Sequence, residues 1–243
     1  MPHPPRRRPG SRGRIGIIQP APGVMLEQEW PRFLPDDMLF PVARIRMCAA
    51  TADGYAALAG AAPEAARDLA TAGCDVIVYA CAIGSLFAGP AAEAELVTAL
   101  GAASGKPAIG LAEASVRALR QLGARQVAIL TPYAPPTNRW VTDYLAATGF
   151  GSAGIISTPV DIITVGDLQP AEIADLAAAG LADYPGADAL WIPCTAIQTL
   201  EAIAAIEERS GLPVVSGSQA LLWASLRAIG VADPLPGAGR LLA

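Results

Sequence analysis

Two cysteines each follow an apolar run that is typical of a buried strand. Cys81 follows "VIVYA" and Cys194 follows "ALWIP", 113 residues further along the chain. A thiolate can attack carbon or remove a proton, and a neutral thiol can donate one. Two such thiols brought together indicate carbanion-type chemistry next to a carboxylate, in which one sulfur attacks or abstracts and the other supplies a proton.

Other catalytic groups are scarce. His3 is the single histidine and Lys106 the single lysine. This excludes a Ser-His-Asp triad, a Cys-His dyad and most zinc sites. Pro107 after the lysine excludes a phosphate-binding P-loop, and the cysteines form no CxxC pair. We therefore predict no metal and no cofactor, and we interpret Cys48 and Cys74 as packing residues.

Composition narrows the class of protein further. The 243 residues are 53% hydrophobic with a formal net charge of -5, which gives a large core and no basic stripe for nucleic acid. No run approaches the roughly 20 apolar residues of a membrane helix. We expect a cytoplasmic protein with reduced thiols and no membrane or nucleic-acid partner. The basic, proline-rich segment 1–13 is predicted to be a flexible tail.

Short apolar runs alternate with alanine-rich amphipathic segments, which is typical of a parallel α/β sheet. The predicted strands are 14–19, 41–46, 75–80, 107–110, 126–131, 160–164, 188–193 and 213–216. The predicted helices are 53–72, 90–104, 112–122, 137–148, 170–182, 196–209 and 218–229.

An internal repeat runs through this pattern. "RIGIIQPAPG" from 14 aligns with "QVAILTPYAP" from 126, "VIVYACAI" with "ALWIPCTA", and "SGKPAIGL" with "SGLPVVSG". The repeat predicts two pseudo-symmetric Rossmann-like lobes, each a mainly parallel four-stranded sheet flanked by helices, with the active site in the cleft between them. We assign 14–120 plus 218–243 to the first lobe and 121–217 to the second.

The carboxyl ends of parallel strands bind ligands, and both repeat-related cysteines follow such ends. A helix N-terminus after each is expected to lower its pKa, and nearby backbone N–H groups could hold a carboxylate. An isolated buried cysteine is more often inert packing, but the repeat favours a functional pair. The candidate substrate-binding residues are Pro20, Ala82, Ile83, Tyr133, Thr195 and Ser216; Tyr133 could equally be a packing residue.

Four motifs together resemble a known superfamily. They are "YACAIGS", "LTPYAPPTNRWV", "IPCTAIQTL" and "GLPVVSGSQALLWASLR". They are similar to the aspartate/glutamate racemase superfamily, in the branch with maleate cis-trans isomerases, arylmalonate decarboxylases and the ectoine-utilisation protein EutA. The resemblance implies that Cys81 is the nucleophile, Cys194 the second catalytic thiol and Tyr133 a ligand of a substrate carboxylate.

Two departures from the resemblance concern the substrate. Ala82 and Ile83 stand where the family usually has Thr-Ser, and "QPAPG" replaces the "PSSNT" of the isomerases. The expected function is a cofactor-independent isomerase or racemase of a small carboxylic, by resemblance dicarboxylic, acid. Two alternatives stay open: a decarboxylase that uses Cys194 as proton donor, and a non-catalytic ligand-binding protein. A homo-oligomer, dimer or tetramer, also stays open.

Overall fold

A computed structural model describes residues 8–161 and 163–243. The strands are β1 Gly13–Pro20, β2 Met38–Leu39, β3 Val42–Ile45, β4 Val76–Tyr79, β5 Ala108–Gly110, β6 Gln126–Thr131, β7 Gly151–Ser157, β8 Ala189–Ile192 and β9 Val214–Ser216. The helices are α1 Met25–Phe33, α2 Ala52–Thr71, α3 Ala82–Leu86, α4 Gly89–Ser104, α5 Leu111–Gln121, α6 Pro135–Ala147, α7 Pro170–Leu181, α8 Leu200–Ser210 and α9 Gly217–Ala228.

The strands form two parallel sheets with the same strand order. The first sheet runs β2-β1-β4-β5, and β3 follows β2 along the same side of β1. The second runs β7-β6-β8-β9. In each sheet, the first strand (β1 or β6) has the strand or strands that come next in the chain on one side and the later strands on the other side. This confirms the two-lobed α/β architecture predicted from the repeat, with five strands rather than four in the first sheet.

The central strands are apolar on both faces because helices cover both faces of each sheet. Ile15, Ile17 and Ile18 in β1 are fully buried, as is all of Val76–Tyr79 in β4. Strands buried on both sides read as continuous aliphatic runs rather than alternating patterns. This is why the sequence located the central strands to within one or two residues.

The edge strand of the second sheet was predicted in the wrong place. The described residues of that segment, 160, 161, 163 and 164, are not in a strand; the carbonyl of Asp161 accepts the backbone N–H groups of Thr164 and Val165. The edge strand is β7, which is half-exposed and contains Gly154, against which the ring of Tyr184 packs. A strand with glycines and one exposed side lacks the aliphatic run that marks the others.

Three smaller differences also lie outside the central strands. Helix α1 and strand β2 were not predicted, and α8 begins at Leu200 rather than at 196. The chain after Cys194 first makes a turn at 195–197. The assignment of 218–243 to the first lobe stays a prediction, because α9 packs against α5 and also against β9 of the second sheet.

Helix α1 is bonded to the first residues of α8 and α9. The Oε1 atom of Glu29 accepts the backbone N–H of Leu200 at 2.8 Å. Trp30 donates its indole N–H to Ser218 at 3.2 Å, and Arg32 pairs with Glu201. These bonds fix α1 against the N-terminal ends of α8 and α9, close to the turn that carries Cys194.

The predicted tail, 1–13, falls partly outside the described residues, and so does His3. Its described end is held in place: Arg12 donates its backbone N–H to Asp37 at 3.1 Å and pairs with Asp233. Within the described ranges, no helix is both long enough and apolar enough to cross a membrane.

Candidate active site

A cavity lies where β1, β3, β4, β6 and β8 end. Its volume is about 460 Å³, which includes the space open to solvent at its entrance. Both cysteines of the repeat line it. Of the predicted binding residues, Pro20, Ala82, Ile83, Tyr133 and Thr195 also line it. The fold therefore brings together from both lobes most of the residues that the strand-end rule singled out.

Cys81 occupies the N-cap position of α3. Its backbone is extended, and its sulfur accepts the N–H of Gly84 at 3.3 Å. The fully buried Tyr79 lies behind it. A Cβ on Gly84 would come within 2.5 Å of the Tyr79 hydroxyl and 2.9 Å of the Cys81 sulfur. Only a glycine at position 84 lets the phenol and the thiol share this space.

Burial raises the pKa of Cys81 to about 12, although the Gly84 N–H and the Tyr79 hydroxyl both act to lower it. The nearby Cys194 raises it as well. The expectation that a helix N-terminus would give Cys81 a low pKa is therefore wrong. Helix α3 has only five residues, and desolvation outweighs the few donors at its start.

Cys194 lies in the turn after β8. Its sulfur accepts the N–H of Ala196 at 3.4 Å. Burial raises its pKa; the hydroxyl of Tyr133 and the N–H groups of Ala196 and Ile197 lower it, and the charge of Glu29 raises it. The expected low pKa is wrong here too. The raised pKa values keep both sulfurs as neutral thiols at physiological pH.

Tyr133 is held in place by a polar network at the end of β6. Its carbonyl oxygen accepts bonds from Asn138 Nδ2 at 3.0 Å and from Ser157 Oγ at 2.8 Å. Asn138 in turn accepts from Thr131 at 2.6 Å. Burial, together with the neighbouring Cys194, raises the pKa of Tyr133 well above its usual value. Its hydroxyl therefore keeps its proton and can donate to a carboxylate or to sulfur.

The two remaining predicted binding residues differ in position. Thr195 lines the cavity and donates its hydroxyl to the carbonyl of Ala80, the residue before Cys81, at 3.4 Å. Ser216 does not line it: its fully buried hydroxyl accepts from Gln219 N at 3.1 Å and from Thr199 at 2.9 Å. Ser216 caps α9, so its prediction as a ligand residue is corrected to a helix-capping role.

Several residues that line the cavity were not among the predicted binding residues. Tyr55 enters from the first turn of α2, where its ring packs 6.1 Å from that of Phe87 and 6.2 Å from that of Trp140. Burial, together with the charges of Cys81 and Cys194, raises its pKa to about 12. Met47 follows the end of β3, so the strand-end rule could have found it.

The loop after β1 closes one side of the cavity with Pro20, Pro22 and Gly23. Arg44 on β3 holds this loop by donating to the carbonyls of Ala21 at 2.8 Å and Gly23 at 2.6 Å, and it pairs with Glu27. The Arg44 guanidinium is therefore bonded to the loop after β1 and to Glu27.

The other two cysteines are separate free thiols. Cys74 is buried, as expected of a packing residue, whereas Cys48 is exposed, so its interpretation as buried packing is wrong. It lies in the loop between β3 and α2, beside Met47.

The chain is similar to known proteins over almost its whole length. The arylmalonate decarboxylase family model matches residues 15–242. A maleate isomerase from Nocardia farcinica is 31% identical, with 94% of this chain and 95% of that protein covered. An arylmalonate decarboxylase from Bordetella bronchiseptica is also 31% identical, with 93% and 95% covered.

One solved structure bears directly on the cysteines. It is a variant of the Nocardia farcinica maleate cis-trans isomerase with a covalently bound succinylcysteine intermediate, 29% identical, with a TM-score of 0.86 over 95% of this chain and 98% of that chain. Its fold is the two-lobed α/β fold described above. With a family model matched across 15–242 and relatives of 31% identity, this chain belongs to the arylmalonate decarboxylase family.

Proposed function

We propose that the protein is a cofactor-independent cis-trans isomerase of a small unsaturated carboxylic acid, in which Cys81 and Cys194 act as a pair. The observation that carries the proposal is that the two repeats each deliver one buried thiol to a single cavity. The succinylcysteine adduct in the related isomerase supports a covalent step on cysteine. A racemase would use the same pair for proton removal and return.

The reaction begins when the Cys81 thiol releases its proton to solvent and the sulfur attacks one alkene carbon; the proton returns to Cys81 from solvent after the sulfur leaves. A C–S bond forms as the π bond breaks, and the electron pair moves to the neighbouring carbon and its carboxylate. The Gly84 N–H and the Tyr79 hydroxyl stabilise the thiolate before attack. Tyr133 and Thr195 are the proposed donors to the carboxylate, whose charge grows in this step.

The proton then comes from the Cys194 thiol. Burial holds its pKa high, so it is a neutral donor until the carbanion forms. Protonation leaves a single carbon–carbon bond, which rotates. The Cys194 thiolate takes the proton back, the alkene reforms and the Cys81 sulfur leaves. No atom is gained or lost, and no oxidant or reductant is needed.

The test is turnover of cis-alkenoic acids followed by proton NMR. We expect wild-type protein to convert a cis acid into its trans isomer, and Cys81→Ala and Cys194→Ala each to lose at least about 1000-fold in rate, since covalent and acid–base steps are both removed. Exposed Cys48→Ala is the matched control and should keep full turnover. Full turnover in either active-site variant would contradict the proposal.

The second candidate is a decarboxylase in which Cys194 alone protonates the carbanion left by carbon dioxide. The match to the arylmalonate decarboxylase family and the neutral state of the Cys194 thiol favour it. Its signature is carbon dioxide release from a disubstituted malonate that survives Cys81→Ala and is lost in Cys194→Ala. Dependence on both thiols favours the isomerase.

Assembly and cellular location stay predictions. Light scattering of the purified chain distinguishes monomer, dimer and tetramer. Cell fractionation tests the expected cytoplasmic location.

A further inference from the structure

One short segment of the chain, 194–200, bonds to two different acids. Near its start, the sulfur of Cys194 accepts the backbone N–H of Ala196 at 3.4 Å. At its end, the carboxyl of Glu29 on α1 accepts the backbone N–H of Leu200 at 2.8 Å. A catalytic thiol and a carboxyl group outside the cavity lining are therefore held by the same segment.

Glu29 is a buried acid without a basic partner. Its exposed fraction is only 2%. Among the described residues, no arginine or lysine pairs with it, because Arg32 on the same helix pairs with Glu201 and Arg44 on β3 pairs with Glu27. The carboxyl is therefore stabilised by hydrogen bonds alone.

The groups that face Glu29 come from α8 and α9. Burial raises the pKa of Glu29 to about 7. The N–H of Leu200, the hydroxyl of Ser218 and the N–H of Thr199 lower it, and the charge of Glu201 raises it. The protonated and the ionised forms of Glu29 are therefore both populated near neutral pH.

The two acids oppose each other's ionisation. The charge of Glu29 raises the pKa of Cys194, and by the same interaction a thiolate on Cys194 disfavours the ionised form of Glu29. We propose that Glu29 is a positioning residue that acts through Cys194: the ionised carboxylate holds the proton on the thiol, and the neutral carboxyl allows the thiol to release it. For turnover, this inference rests on the proposed function, in which Cys194 is the proton donor.

Cys81 provides an internal comparison within the same cavity. Burial raises its pKa most, and the other groups that shift it are the Gly84 N–H, the Tyr79 hydroxyl and Cys194. No carboxylate of the described residues is among these groups. Ionisation of Glu29 should therefore change the reactivity of Cys194 and leave that of Cys81 as it is.

Alkylation of wild-type protein tests the acid pair without requiring turnover. Timed exposure to iodoacetamide from pH 6 to pH 9, followed by peptide mapping, gives a rate for each thiol. We expect the rate at Cys81 to rise about tenfold per pH unit, because its thiolate fraction rises in that proportion. The rate at Cys194 should rise less steeply between pH 6 and pH 8, because Glu29 ionises in this range. Equal slopes for the two thiols would overturn the inference.

Glu29→Gln removes the charge and keeps an oxygen for the Leu200 N–H. At pH 8.5 we expect Cys194 to be alkylated about fivefold faster in this variant than in the wild type, because a nearby negative charge is lost. At pH 5.5 the two rates should agree, and Cys81 should be unchanged throughout. Exposed Glu208→Gln is the matched control and should keep the wild-type rates. An unchanged rate at Cys194 in Glu29→Gln would contradict the acid pair, and the wild-type slopes decide the question if that variant fails to fold.

Turnover of maleate separates this inference from the proposed function. The ratio of kcat in Glu29→Gln to kcat in the wild type should be about one at pH 6 and about five at pH 8.5, with KM unchanged because Glu29 does not line the cavity. If both cysteines are essential but neither alkylation nor this ratio responds to Glu29, the acid pair is wrong and the isomerase stands. If alkylation responds to Glu29 while the alanine variants of the cysteines keep turnover, the function is wrong and the acid pair stands.

Discussion

The two halves of the active site begin from the same motif and differ in what lies behind the sulfur. Behind Cys81 is the neutral phenol of Tyr79, whose buried hydroxyl lies close to that sulfur and lowers the pKa of the thiol. Near Cys194 is the carboxyl of Glu29, whose charge raises the pKa of the thiol. Each sulfur has a tyrosine hydroxyl beside it, but Cys194 also lies near a carboxyl group that can become negative.

This difference suits the two sulfurs to different roles. A hydroxyl and an N–H behind Cys81 stabilise a thiolate, which is the form that attacks carbon. Cys194 has comparable donors in the Tyr133 hydroxyl and the N–H groups of Ala196 and Ile197, so the difference between the two sites is the charge of Glu29, which disfavours a thiolate on Cys194. The internal repeat supplies the pair of thiols, and we propose that the residues that differ between the two sites give the two sulfurs different roles.

Glu29→Gln tests the Cys194 half and carries the largest expected effect. Burial raises the pKa of Glu29 to about 7 from an ordinary 4.5. Between these pH values the unfolded chain has released the proton and the folded protein retains it, so the free energy of unfolding falls as pH rises. The wild type should lose about 3 kcal/mol across this window relative to the glutamine variant.

Urea unfolding at pH 4.5 and pH 8 measures this effect. Glutamine keeps an oxygen to accept the Leu200 N–H, so the variant should fold. Exposed Glu208→Gln controls for the loss of a surface carboxylate. If the free energy of unfolding changed with pH in the same way for the wild type and Glu29→Gln, Glu29 would not be a buried acid with a raised pKa, and this difference between the two halves would be wrong.

Gly84→Ala tests the Cys81 half. The new Cβ collides with the Tyr79 hydroxyl and the Cys81 sulfur. Because Tyr79 is fully buried, we expect a loss of about 2 kcal/mol in the free energy of unfolding, as in overpacked cores. Gly60→Ala in α2 is the control: its Cβ meets open space, so stability should be unchanged or rise. Equal effects at both glycines would contradict the shared packing of phenol and thiol.

A pair of tyrosine variants tests whether each sulfur has its own donor. Tyr79→Phe should slow alkylation of Cys81 about tenfold and leave Cys194 unchanged, because a hydrogen bond to an anion is lost. Tyr133→Phe should do the reverse. Peptide mapping after timed exposure to iodoacetamide measures both rates in one sample. If either variant slowed both cysteines equally, the donors would not be specific to one half.

Much of this arrangement could be predicted from the sequence. The repeat aligned β1 with β6 and β4 with β8, and aliphatic runs located them, because strands buried on both faces leave an unbroken apolar pattern. The strand-end rule then placed Cys81, Cys194 and Tyr133 at one cleft. The position of β7 could not be predicted in this way, since an exposed edge strand with glycines carries little apolar signal.

The electrostatics of the site also lay beyond the sequence. A cysteine just before a helix is expected to have a low pKa. Its actual pKa also depends on how deeply the thiol is buried, which the sequence does not show. Glu29 lies on a helix that was not predicted and reaches the second lobe through Leu200. Tyr55 sits among alanines in α2 and becomes a cavity residue only because Phe87 and Trp140 orient its ring.

The central claim is that both thiols act on one substrate molecule, with Cys81 forming the bond to carbon. Intact-protein mass spectrometry of Cys194→Ser and Cys81→Ser, each incubated with maleate, tests it most directly. Our account predicts that Cys194→Ser accumulates an adduct of one substrate mass on Cys81, and that Cys81→Ser forms none and turns nothing over. An adduct on Cys194, or turnover in Cys81→Ser, would contradict the account.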